Sequence, residues 1–175
     1  FLGPEMRSTG EVMGIDSMTG LAVVKARIAS GNRLPRAGTM FVTLSDNDKR
    51  PRVAETLRGF AELGFTILAT DGTSRFLTEE GIPNTKILKI VEGRPNVLDS
   101  IRNGEVRLVV NTPSGEIARD DEKAMGAVSM EYKVPFITTA SAAAAALSGL
   151  RSLNESELQV RSLQEWYREP LAGGR

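Results

Sequence analysis

The chain has no cysteine and no histidine. Without cysteine it can form no disulfide, no thiolate zinc site and no cysteine nucleophile, a composition in keeping with a reducing compartment. Without histidine it lacks the usual general base near neutral pH and the commonest metal ligand, so triad hydrolysis and most zinc chemistry drop out and no metal site is expected. An excess of charge is missing too. The 22 basic residues balance 22 acidic ones, and nothing global draws the chain to nucleic acid or to an anionic membrane. The longest apolar run, 142–147, is far too short to span a bilayer, and no basic-then-apolar signal sequence opens the chain. Together these absences predict a cytoplasmic protein. Two nucleotide fingerprints are also lacking: there is no Gly-x-x-x-x-Gly-Lys-Ser/Thr loop and no strand-borne Gly-x-Gly-x-x-Gly, which removes P-loop ATPase and ordinary NAD readings.

What is present reads as one domain with appendages, since 175 residues with 41% hydrophobic side chains suffice for a packed core. Its organising stretch begins at Thr66, where Thr-Ile-Leu-Ala-Thr reads as a strand that runs into Asp71-Gly72-Thr73 and then into a helix. That is the outline of a phosphate cradle. Gly72 lets the backbone turn with no Cβ in the way, Thr73 can cap the helix, and the N–H groups of the first turn face any anion placed there. The same turn can equally cap a helix and bind nothing.

Around this unit the chain alternates. Residues 1–14 are glycine-punctuated without an amphipathic period and read as the cut end of something larger. Asp16 or Ser17 can cap a helix carrying Leu21, Val24 and Ile28, and 32–38 reads as a linker. A strand at 40–44 and a polar loop at 45–48 lead to a helix with Pro51 in its first turn and Leu57 and Phe60 on its apolar face. A third strand is expected at 86–91 with Lys89 inside it, then a helix started by Pro95, a fourth strand at 106–110 and a turn-rich loop at 111–115. Asp120 can cap a helix through 132, followed by a fifth strand at 135–138 and an alanine-rich helix at 141–150. Residues 158–160 are expected as a short edge strand, Ser162 and Glu165 have capping-box spacing for a last helix with Trp166 and Tyr167, and 169–175 is expected as a flexible tail. Strands apolar along their length and separated by single helices predict an α/β three-layer sandwich with a five-stranded parallel sheet and right-handed crossovers.

Ligands of such sheets bind at the carboxyl ends of the strands. Lys49, Thr70, Gly72, Thr73, Lys89, Asn111 and Thr112 would all fall on that rim. Lys49, Arg50 and Arg52 sit at a helix start, where cations oppose the dipole unless an anion is bound. Taken singly, Lys49 also fits a solvated basic turn and Lys89 a lysine snorkelling from an edge strand. Jointly, two lysines, two threonine hydroxyls and helix amides make a phosphate site, with Asn111 free to hydrogen-bond a base or ribose. The carboxylates are scattered, Asp120-Asp121-Glu122 fits a helix start, and no catalytic pair is expected.

The run from Leu2 to Gly14, Lys89-x-x-Glu92-Gly93-Arg94-Pro95 and Ile101-x-Asn103-Gly104 resemble the C-terminal end of the large subunit of carbamoyl-phosphate synthase, the similarity extending to about Tyr167. The first run is similar to the end of that enzyme's second ATP-grasp half, and the others to its methylglyoxal-synthase-like regulatory domain. The resemblance implies three parts: 1–36 as the end of the ATP-grasp region with one helix and a linker, 37–168 as a regulatory nucleotide-binding domain, and 169–175 as tail. It implies an allosteric domain that binds UMP or IMP through Lys49, Thr70, Thr73, Lys89, Asn111 and Thr112 and makes no carbamoyl phosphate itself. ATP, Mg²⁺ and bicarbonate would belong to other domains of a glutamine-dependent, ATP-dependent ligase serving arginine and pyrimidine biosynthesis, with those domains and a glutaminase small subunit as partners. Pro113 and Glu116 stand where bacterial members can have a phosphate-binding threonine and an arginine, which leaves the preferred effector open. Phe136-Ile137-Thr138 replaces the Tyr-Asp-Thr run of ornithine-sensing members and argues against ornithine. Two alternatives remain: a methylglyoxal-forming lyase, for which the chain lacks a histidine and has Arg94-Pro95-Asn96 in place of Gly-Asp-Gln, and a module that mainly supports subunit association.

Overall fold

The computed structural model describes residues 12–112, 116–155 and 158–168. In chain order these form α1 (Thr19–Ala29), β1 (Gly38–Leu44), a 3₁₀ turn (Asp46–Asp48), α2 (Pro51–Glu62), β2 (Phe65–Ala69), α3 (Asp71–Glu79) and β3 (Thr85–Lys86). A second 3₁₀ turn (Ile90–Glu92), α4 (Val97–Arg102), β4 (Val106–Thr112), α5 (Glu116–Glu131), β5 (Phe136–Ile137), α6 (Ala140–Glu155) and α7 (Leu163–Arg168) follow. The five strands make one sheet in the order β3-β2-β1-β4-β5, parallel throughout. The chain is therefore α/β with the expected sheet.

The period of two along each strand sorts the core into two layers. Met40, Val42 and Leu44 of β1, Phe65, Ile67 and Ala69 of β2, and Leu108 and Val110 of β4 face one side, where they pack with Val24, Leu57, Phe60, Leu77 and Leu147 of α1, α2, α3 and α6. Phe41 and Val109 face the other side and pack with Val97, Ile101, Met125 and Val128 of α4 and α5. Phe60 and Phe65 meet edge to face at 5.4 Å, a contact that contributes about 0.5–1.5 kcal/mol beyond burial. Helix α1 lies along α6, and a Cβ on Gly20 would come within 2.9 Å of the Gly149 amide nitrogen. The helix of the 1–36 segment is thus packed on the sheet-bearing unit.

Several elements depart from the sequence reading, each for a local reason. Helix α1 is preceded by Met18 with no side-chain cap, because Asp16 accepts the Met18 N–H at 3.1 Å and pairs with Lys25 at 2.6 Å. Strand β1 begins at Gly38, inside the expected linker. Strand β3 stops at Lys86. As the sheet edge it has one neighbour, and beyond Leu88 the Glu92 carboxylate takes the Lys89 N–H at 2.9 Å and folds the chain into a 3₁₀ turn. Lys89 therefore precedes a turn and is not inside a strand. Helix α4 starts after Pro95: Asn96 caps it by accepting the Leu98 N–H at 3.0 Å, and Asp99 returns a bond to Asn96 N–H.

Strand β4 runs on through Asn111 and Thr112, which belong to the ladder with β1 and not to a loop. Helix α5 begins at Glu116, so Asp120 lies inside it, paired with Lys123 at 3.2 Å, and does not cap it. The alanine-rich helix extends to Glu155, with Thr139 accepting the Ala142 N–H at 3.2 Å at its start. Residues 158–160 form no strand. They line a hollow with Ile28 and Trp166, and Val160 is fully exposed. The capping box of α7 forms as read: the Ser162 N–H donates to Glu165 at 2.6 Å, the Glu165 N–H donates to Ser162 Oγ at 3.3 Å, and Lys25 stands over the Trp166 ring at 5.5 Å. The start expected as an ATP-grasp remnant over 1–11, the 113–115 loop with Pro113, the Glu116 side chain and the 169–175 tail lie outside the described residues.

Candidate functional site

The side of the sheet covered by α4 and α5 turns polar at its carboxyl end. Two residues beyond Phe41, Leu68 and Val109 stand Thr43, Thr70 and Asn111, and the pleat directs all three to that same side. Thr43 and Asn111 are register partners across β1 and β4, and the Thr43 and Thr70 hydroxyls are 3.0 Å apart. These residues floor a cavity of about 200 Å³, walled by Lys89, Ile90, Val97, Asp121 and Met125 and rimmed by Leu44, Ser45 and Thr112. That is smaller than the roughly 300–1,000 Å³ usual for small-molecule sites, so a nucleotide seated in it must extend past the rim.

The direction in which it can extend is toward α3. Lys49 and Gly72 line an adjoining hollow with Arg75, Phe76 and Glu79. A Cβ on Gly72 would stand 3.1 Å from Lys49 Nζ, so a glycine here is what lets the ammonium come up against the backbone of the first helical turn. Thr70 directly precedes α3, and the first helical bond from its carbonyl goes to the Ser74 N–H. The amides of 71–73 precede that bond and belong to the orphan donors of a helix start. Of the seven residues singled out from the sequence, Thr70, Lys89, Asn111 and Thr112 line the cavity and Lys49 and Gly72 the adjoining hollow.

Thr73 has a different role from the one read in sequence. It does not cap α3. It is 1% exposed, and its hydroxyl accepts the Leu44 N–H at 2.9 Å and, more weakly, the Thr70 hydroxyl at 3.5 Å. A hydroxyl that accepts twice still has its own hydrogen to donate. Thr112 works similarly one residue further on, at the same carboxyl end of β1, its hydroxyl and its carbonyl both accepting the Ser45 N–H at 3.0 Å. These two threonines tie the end of β1 to α3 and to β4.

The electrostatics separate two acids at the rim. Asp71, in the first turn of α3, pairs with Lys86 and Arg75, and the hydrogen bonds from Lys86 and then Arg75 hold its carboxyl below the usual carboxylate range. Asp46 pairs with Lys49 at 2.6 Å. The hydrogen bond from Lys49 holds its carboxyl low, with the charges of Lys49 and Lys89 acting in the same direction. Among the described residues no group of three or more acidic side chains is arranged to hold a metal ion, and no helix is long and apolar enough to cross a membrane.

Asn111 stands apart. It is 4% exposed, and its Nδ2 is one of two buried side-chain polar atoms without a partner among the described residues, the other being Ser129 Oγ. A buried amide donor left unpaired costs about 1–3 kcal/mol, and Asn111 is one of the residues that line the cavity. The sequence reading missed three polar lining residues: Thr43, Ser45 and Asp121. Thr43 was recoverable from the strand period, since it shares a side with Phe41. Asp121 was hidden by placing the helix start at Asp120.

Residues 52–138 match the family model described as MGS-like domain. Along nearly its whole length the chain is similar to carbamoyl phosphate synthase large chains: 49% identical over 166 residues to that of Gemmatimonas aurantiaca, covering 95% of this chain and 15% of the relative. It is 47% identical over 168 residues to that of Archaeoglobus fulgidus, covering 96% and 16%. To the Aquifex aeolicus protein named as the C-terminal section of that large chain, it is 46% identical over 171 residues, covering 95% and 32%. The chain thus spans about a sixth to a third of the length of these relatives.

Proposed function

Residues 52–138 belong to the MGS-like domain family, and on that premise we propose that the chain is the regulatory part of a carbamoyl phosphate synthase large chain and binds a nucleoside monophosphate, UMP or IMP, at the carboxyl edge of its sheet. The single observation that carries this reading is Asn111, whose buried Nδ2 has no partner among the described residues and which lines a cavity together with Thr43, Thr70, Thr112 and Lys89. A donor in that position calls for an acceptor on the ligand, such as a ribose or base oxygen. The phosphate lies between Lys49 and Lys89, with the Thr70 and Thr73 hydroxyls and the first amides of α3 covering its remaining oxygens. Asp121, a carboxylate in the cavity wall, repels phosphate and accepts from sugar hydroxyls or base N–H groups, which orients the ligand with its base inward. ATP-dependent ligase chemistry, with ATP, Mg²⁺ and bicarbonate, belongs to the remaining large-chain domains. Those domains and a glutaminase small subunit are the partners, and arginine and pyrimidine synthesis the pathways served.

Calorimetric titration with UMP and IMP tests this. Binding of at least one at or below millimolar concentration is expected, and heat-silent mixing with both overturns it. Because Asp121 brings one carboxylate into the cavity, incubation with dihydroxyacetone phosphate and colorimetric assay for methylglyoxal runs alongside. No turnover is expected, since the chain has no histidine to serve as matched acid, and sustained turnover would replace the regulatory role with lyase activity.

A further inference from the structure

Lys49 stands where a cation is unfavourable. Its ammonium rests against the first turn of α3, 3.1 Å from where a Gly72 Cβ would sit, at the positive end of the helix dipole. The acid of that turn, Asp71, is engaged by Lys86 and Arg75 and does not neutralise it. The anion that does is Asp46. Its Oδ1 lies 2.6 Å from Lys49 Nζ at the end of a side chain 94% exposed, and its carboxyl is held low first by the Lys49 hydrogen bond, with Lys89 acting in the same direction from farther off. An ionised carboxylate and a phosphate ester ask for the same partners, since both are acceptor-only oxygen anions. The ion pair is also easy to exchange. Exposed pairs are weak, and the base of the turn is held independently by the 2.7 Å bond from Ser45 Oγ to Asp48, so Asp46 can swing away without unfolding the loop.

We propose that Asp46 is a built-in competitor of the ligand: it holds Lys49 in the unliganded chain, must be displaced by the incoming phosphate, and thereby sets the threshold concentration at which the site fills. The proposal rests on the reading of Lys49 and Lys89 as a phosphate site. It makes the Asp46 side chain, at the start of the 3₁₀ turn Asp46–Asp48, the group that moves on binding, and gives it a role in affinity with no contact to the ligand.

The test uses the 175-residue chain, parent and Asp46→Asn, titrated separately with UMP and with inorganic phosphate while the Gly72 amide is followed by NMR. Asp46→Asn keeps the shape and removes the charge. It is expected to bind both probes about threefold to tenfold more tightly. The gain should shrink below twofold when the same change is made in a Lys49→Ala chain, because the competitor acts through Lys49. A general charge effect would survive that second substitution. Binding by Asp46→Asn no tighter than the parent, or an equal gain in both backgrounds, overturns the competitor and leaves the nucleotide reading standing. Absence of binding by every chain overturns both.

Discussion

The candidate site has two layers that differ in burial and therefore in what a substitution there should do. The lower layer, Thr43, Thr70, Thr73, Asn111 and Thr112, sits at or below the strand ends, and four of these five are at most 6% exposed. Its hydroxyls are already at work within the protein, tying β1 to α3 and β4. The upper layer, Asp46, Lys49 and Lys89, is carried by loops and turns, and its one ion pair is solvated on the Asp46 side. The lesson of the difference is that scaffold and ligand roles overlap below and separate above. Affinity can be tuned in the upper layer without touching stability, whereas the lower-layer threonines couple the two.

Removing the upper-layer cations should have the largest effect. Lys49→Ala or Lys89→Ala is expected to weaken UMP or IMP binding about tenfold to a hundredfold, the loss of a charge-assisted hydrogen bond of roughly 1.5–3 kcal/mol, with the melting temperature unchanged. Isothermal calorimetry paired with a thermal melt checks both halves, and parent-like binding with a lowered melting point would make the lysines scaffold. Next in size is Thr73→Val. It leaves the buried Leu44 N–H without its 2.9 Å acceptor, which should cost about 1–2 kcal/mol, within the range for an unpaired buried donor. For a chain of this length that corresponds to melting about 2–8 °C lower, read by differential scanning calorimetry. A Thr73→Val chain that melts with the parent would show that the strand tie is dispensable.

Asn111→Ala separates the two roles within the lower layer. Its Nδ2 makes no bond in the protein, so this substitution is expected to weaken nucleotide binding about threefold to tenfold, one hydrogen bond of about 0.5–1.5 kcal/mol, while melting within a degree or two of the parent. An equally tight Asn111→Ala chain would move the base or ribose contact elsewhere. The smallest effect expected is a pH effect at Asp71. Its folded-state pKa lies below the ordinary value of 3.8 because of Lys86 and Arg75. Its contribution to stability is therefore present above that value and lost as pH falls through the folded value. Asp71→Asn should therefore be slightly less stable than the parent at neutral pH and lose less stability below about pH 4, so that the two chains converge in acid. Coincident acid curves would show that those ion pairs contribute nothing measurable.

Much of the fold was legible because burial on both sides leaves a plain mark. Apolar runs such as Met40–Leu44 and Leu108–Val110 can only be central strands of a covered parallel sheet, and Ser162 with Glu165 announces its own helix start. Elements whose partners are distant in sequence were less legible. Lys89 sits in an apolar run that reads as a strand, yet the sheet edge offers little pairing there and Glu92 captures its amide. Thr73 carries the residue type of a cap, but Leu44, 29 positions earlier, takes its hydroxyl.

The sequence by itself determined the chemistry on offer: no thiol, no imidazole, no net charge, and a set of lysines, hydroxyls and one asparagine at strand ends suited to an anion. It also determined that the strands would pair in parallel, since each apolar run is separated from the next by a helix. Only the tertiary structure decided the assignments within that set. It placed Asn111 and Thr43 opposite each other in register, turned Thr73 inward, set Asp46 against Lys49 and brought Asp121 of α5 over the same cavity. The physical reason is that strand order, register and the packing of a helix across a sheet are settled by contacts between residues far apart in the chain, while composition and local spacing report only on neighbours.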